Sequence, residues 1–104
     1  MDYYFIGDTE LLTAFRFIGI DGTAVHNKTE AADIFKQVTE GRLFLDLKVL
    51  ILTEETSSWL EDMLIPWELS GQFPLIVEIP GIMGRIPDKK TLTTYIREAI
   101  GIHV

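Results

Sequence analysis

Residues 47–52, Leu-Lys-Val-Leu-Ile-Leu, form a run apolar at every position except Lys48. A strand with one solvated face alternates apolar and polar residues, whereas a run like this must be covered on both faces. That condition belongs to the interior of a parallel sheet with helices packed on either side. At 104 residues the chain can build one such core and at most an appendage. Its hydrophobic content of 47% is enough to fill that core and argues against disorder.

The flanking sequence supplies the matching parts. Tyr3–Ile6 is a short apolar run closed by Gly7-Asp8 and reads as a buried strand. Asp8 or Thr9 then caps a helix whose buried face is expected to carry Leu11, Leu12, Ala14, Phe15 and Ile18, with Gly19 at the position after its C-cap. Thr23–Val25 is expected as a brief second strand. Asn27, with Glu30 three residues on, resembles a capping box for a second helix carrying Ala31, Ile34, Phe35 and Val38 on one face and ending at Gly41. After the central run, Thr53-Glu54-Glu55 opens a third helix with its acids where the macrodipole favours them. Its apolar positions are Trp59, Leu60, Met63, Leu64 and Trp67. Pro66 predicts a kink or a break into two short pieces, and Ser70-Gly71 a stop. Leu75–Ile79 is the fourth strand. The alternation β-α-β-α-β-α-β with short connections predicts a doubly wound, Rossmann-like α/β sheet.

At Pro80-Gly81 the chain changes character. Residues 1–80 carry 14 acidic and 5 basic side chains, while residues 81–104 carry 2 and 4, out of a net charge of −7. Gly81, Gly84 and Pro87 punctuate a loop. Asp88 can cap a last helix with Leu92, Tyr95, Ile96 and Ala99 on one face. The expected organisation is therefore an α/β body over 1–80 and a basic, apolar tail over 81–104. A helix of about 12 residues is marginal alone in water, so the tail must dock on its own body or on another protein.

Several function classes are disfavoured by the residues alone. The acidic body lacks the cationic surface that nucleic acid requires. No apolar run reaches the roughly 18 residues needed to span a bilayer. Met1-Asp2-Tyr3-Tyr4-Phe5 lacks a charged n-region and a cleavage site, so no secretory signal is expected. The absence of cysteine fits a cytoplasmic location. Gly7-Asp8-Thr9-Glu10 offers one glycine and two acids where a dinucleotide site needs three glycines, and no phosphate-binding loop motif occurs. His26 and His103 lack metal-ligand spacing, so neither a metal nor another cofactor is expected.

Chemistry in such sheets sits at the carboxyl ends of the strands. The candidates there are Gly7-Asp8, His26, Thr53-Glu54-Glu55 and Glu78. Asp8 is read as a helix cap, and the adjacent acid pairs as helix-start and solvated-face charges. A phosphoacceptor receiver domain would have similar topology. It needs an aspartate at the end of the third strand, where this chain has Leu52-Thr53-Glu54, and a lysine after a fifth strand. A degenerate receiver-like protein-binding or signalling module is the alternative reading. Trp59 is expected in the core. Trp67 is open to either core packing or a partner contact.

Three segments resemble the F subunit of the V-type/A-type rotary ATPases in its prokaryotic form. They are Ile6-Gly7-Asp8 with Phe15-Arg16-Phe17-Ile18-Gly19-Ile20, then Leu50-Ile51-Leu52-Thr53-Glu54-Glu55, then Pro74-Leu75-Ile76-Val77-Glu78-Ile79-Pro80-Gly81 with Ile96-Arg97-Glu98-Ala99-Ile100-Gly101-Ile102. The third helix departs from the family pattern at Trp59, Pro66 and Trp67, and the first at Thr9–Ala14. The resemblance implies a four-stranded parallel sheet of order 2-1-3-4 and no catalysis by this chain. It also implies a place in the central stalk, bound to the coiled-coil D subunit of the rotor within the A/B head, peripheral to the membrane and without inserting into it. In that setting the expected partner-binding residues are Ile82, Met83, Arg85, Ile86, Tyr95, Arg97 and Ile100.

Overall fold

The computed structural model describes residues 1–41, 46–82 and Gly84. The element order is β1 (Tyr3–Gly7), α1 (Thr9–Phe17), β2 (Asp21–Ala24), α2 (Lys28–Glu40), β3 (Val49–Thr53), α3 (Glu54–Trp59), α4 (Glu61–Ser70) and β4 (Leu75–Ile79). The four strands form one parallel sheet in the order β2-β1-β3-β4. This is the predicted α/β architecture.

The strand order decides where the helices lie. The step from β1 to β2 runs one way across the sheet, and the steps to β3 and β4 run the other way. Right-handed crossovers therefore place α1 on one face and α2, α3 and α4 on the opposite face. Side chains alternate between the faces. Tyr4, Ile6, Leu50 and Leu52 point toward the three-helix side and pack with Ala31, Phe35, Val38, Leu60 and Leu64 in the main core. Phe5 points the other way and meets Phe15 of α1, with ring centroids 4.7 Å apart. Over β3 and β4 that second face is left open among the described residues: Leu75 and Val77 are 49% and 44% exposed.

Local signals account for the element ends. Asp8 Oδ1 accepts the Leu11 N–H at 2.8 Å, Asn27 Oδ1 the Glu30 N–H at 2.9 Å, and Thr53 Oγ1 the Thr56 N–H at 3.2 Å, so three helices begin on side-chain caps. The Glu30 carboxylate reaches the N–H of His26, one residue before the cap, rather than that of Asn27 as in a strict capping box. Helix α1 ends in a complete Schellman arrangement: Gly19 N–H to Arg16 O and Ile20 N–H to Phe15 O, with Gly19 at φ +87°. Gly71, at φ +70°, ends α4 in the same left-handed conformation.

Three expectations need correction. The third helix does break in two, but at Leu60, six residues before Pro66, which sits inside α4. The break follows Thr56-Ser57-Ser58, where Ser58 Oγ donates to the Glu55 carbonyl, a local side-chain bond that competes with helix continuation. The second strand starts at Asp21 rather than Thr23, because pairing with Tyr4 and Phe5 recruits Asp21 and Gly22 despite their weak strand preference. Of the residues assigned to the buried face of α1, Leu12 is buried while Ala14 is exposed and Ile18 is 72% exposed. The helix covers only β1 and β2, and its C-terminal turn overhangs them.

Candidate functional site

The topological switch of the sheet lies between β1 and β3, at the carboxyl ends of those strands. Open α/β sheets present their binding crevice there. A cavity of about 210 Å³ occupies this position, lined by Asp8, Val25, Thr53, Glu55 and Trp59 from the body and by Gly81, Ile82 and Gly84 from the segment after β4.

Each lining residue is placed by the local fold. Asp8 follows the last residue of β1 and caps α1. Thr53 ends β3 and caps α3, its hydroxyl also donating to Thr56 Oγ1 at 2.9 Å. The strand ends are close-packed: a Cβ on Gly7 would stand 2.4 Å from the Phe5 ring and 2.6 Å from Thr53 Cγ2. After β4 the chain turns back on itself, with Gly84 N–H bonded to Gly81 O at 2.9 Å and Gly84 at φ +90°. This turn borders the crevice, and Asp8 Oδ2 accepts the Ile82 N–H at 3.3 Å.

Of the sequence candidates at the strand ends, Glu54 is buried at 4% exposure rather than on a solvated face, and the others divide into two sets. Asp8, Thr53 and Glu55 meet in the crevice. His26 faces away, exposed, its Nδ1 at 3.1 Å from Glu30 Oε1. Hydrogen bonds from the His26 side chain, then from its backbone, hold the Glu30 carboxyl below its usual range. Glu78 points to the three-helix side, where the Ser57 hydroxyl donates to it at 2.5 Å. The crevice thus presents carboxylate and hydroxyl oxygens, a surface suited to N–H donors and poorly suited to a phosphate. Among the described residues, no group of three or more His, Asp or Glu side chains is arranged to hold a metal ion.

Of the expected partner-binding residues, Ile82 is described: its backbone is held by Asp8 and its side chain is 57% exposed. Met83, Arg85, Ile86, Tyr95, Arg97 and Ile100 lie outside the described residues. Trp59 and Trp67 both pack against the main core. Trp67 also meets Phe35 edge-on at 6.2 Å and donates Nε1–H to the Pro74 carbonyl at 2.8 Å. That placement favours the packing role for Trp67.

Two features run against or beyond the sequence expectations, which place Ile18 on a buried face. Phe17 and Ile18 form an exposed apolar pair at the end of α1, at 87% and 72% exposure. Glu68, on α4, has one buried carboxylate oxygen without a partner. Burial pushes its carboxyl above the usual range, and a hydrogen bond from the Ile76 backbone N–H partly offsets this. A lone Glu on a mixed helix carries no sequence signal of burial, whereas two adjacent apolar residues before a capping glycine could have been read as an overhang.

Residues 4–98 match the family model described as ATP synthase (F/14-kDa) subunit. The chain belongs to this family. The match spans the sheet but for Tyr3 and most of the segment after it, and it makes the chain a subunit of a V/A-type ATPase, a component of a complex with other ATPase subunits. No curated protein sequence matches the chain. Among the described residues no helix is long and apolar enough to cross a membrane.

Proposed function

We propose that the chain is a non-catalytic central-stalk component of a V/A-type rotary ATPase. In this reading it binds the coiled-coil D subunit of the rotor, sits within reach of the A/B head, and couples or regulates ATP turnover with ion transport. Its place is cytoplasmic and peripheral to the membrane. The observation that carries the proposal is the family match over residues 4–98. The body over 1–80 acts as a rigid platform, and the tail over 81–104 supplies contacts through Ile82, Met83, Arg85, Ile86, Tyr95, Arg97 and Ile100. Apolar anchors with a cationic rim suit a helical partner carrying acidic positions.

The decisive experiment compares the full chain with a variant lacking residues 81–104, in pull-down with a D-type coiled coil and in ATPase assays of the reconstituted head. Truncation should weaken binding by about tenfold or more, which corresponds to about 1.4 kcal/mol, and should alter hydrolysis by the head. Unchanged binding together with unchanged ATPase activity would remove the tail from the mechanism. Acetyl phosphate with Mg²⁺ should leave the chain unphosphorylated; stable phosphorylation would instead favour a receiver-like role.

A further inference from the structure

Asp8 uses its two carboxylate oxygens on two parts of the chain, one of them 74 residues further along. Oδ1 caps α1 through the Leu11 N–H at 2.8 Å, and Oδ2 accepts the Ile82 N–H at 3.3 Å. The second bond falls inside the Gly81–Gly84 turn, which is closed by its own backbone hydrogen bond and a backbone bridge between the two glycines. Gly81 lies against the same carboxylate: a Cβ built there would make an ordinary contact with Asp8 Oδ2 at 3.6 Å. The turn forms one wall of the crevice at the switch point, so the chain's own backbone borders the position where such sheets take up a ligand.

We propose that Asp8 is a positioning residue that latches the exit of the C-terminal segment to the carboxyl ends of β1 and β3, and so sets the direction in which residues beyond Gly84 leave the body. A carboxylate is suited to this double task because it has two acceptor oxygens, whereas asparagine and serine have one each. The latch forms within the chain itself and does not depend on the rotor reading, so the two can fail separately.

Hydrogen–deuterium exchange on the isolated full chain tests it, with the Leu11 and Ile82 amides read individually by NMR. Asp8→Ala removes both acceptors and should speed exchange at both amides by about tenfold or more. Asp8→Asn, an equally good helix cap, keeps a single acceptor and should preserve protection at Leu11 while exposing Ile82. This variant serves even if Asp8→Ala fails to fold. Trypsin cleavage after Arg85 should accelerate several-fold in Asp8→Asn at a temperature where the body remains folded. Unchanged Ile82 exchange and unchanged cleavage at Arg85 in Asp8→Asn would overturn the latch.

Discussion

At the residue scale the most informative group is Glu68. Its folded pKa lies above the ordinary carboxylate value because burial disfavours the charged form. The native state therefore holds this proton more tightly than the unfolded chain does. Between the unfolded and the raised folded pKa, stability falls as pH rises, and at neutral pH the ionised group is a net burden. Glu68→Gln removes that burden and should raise the melting temperature at pH 7. The gain should shrink as pH falls through the carboxylate range, and calorimetry at several pH values would show the crossover. Gly22 makes the opposite prediction. A Cβ there would stand 2.2 Å from the Phe5 carbonyl oxygen, which is backbone and cannot swing aside. Gly22→Ala should destabilise the fold by about 1–3 kcal/mol in denaturant titration, as overpacking does. The caps at Asp8, Asn27 and Thr53 were legible because each is a short polar residue directly ahead of an amphipathic run. The burial of Glu68 and the second bond of Asp8 were not, since both depend on partners brought in by tertiary folding.

At the element scale the pattern of apolar residues located the strands and helices well and their ends less well. Leu75–Ile79 is the strand that its composition predicts, and the Ala31–Phe35–Val38 face of α2 packs as its spacing predicts. The errors cluster where pairing or capping overrides propensity: the start of β2 at Asp21, the overhanging end of α1, and the break at Leu60. That break gives α3 and α4 separate axes, and Leu60 and Leu64 both reach the main core with almost no exposure. Leu64→Ala should therefore cost about 2–5 kcal/mol, the range for a buried leucine whose cavity cannot collapse. The same change at Leu69, 47% exposed on the same helix, should cost far less. Equilibrium unfolding of the two variants side by side checks the contrast.

At the scale of the whole molecule the sheet carries three helices on one face and one on the other. Fold class, strand order and family were legible in the sequence because the covered central run and the three resembling segments are long-range patterns. The candidate contact surface was legible only as a change in composition at Pro80-Gly81. Its one described member, Ile82, is held by backbone rather than by side chain. If the basic tail meets an acidic stretch of a coiled-coil partner, binding should weaken as ionic strength rises from about 0.05 to 0.5 M, mostly through slower association. Biosensor kinetics would resolve the two rates. A salt-independent rate would point to apolar contacts alone.

The outer side of β4 carries a consequence of a colloidal kind. Leu-Ile-Val-Glu-Ile at a sheet rim is a five-residue segment of high β-propensity, the sort of border that recruits a second strand and seeds aggregates. Trp67 and Glu68, neighbours on α4, take the Pro74 carbonyl and the Ile76 N–H. Two of the anchor points that an incoming strand would need are thus already taken. The side chain that weakens the fold at neutral pH also helps close the rim to other strands: Glu68→Gln keeps a carbonyl acceptor for the Ile76 N–H, whereas Glu68→Ala removes it and should show an earlier onset of light scattering on storage.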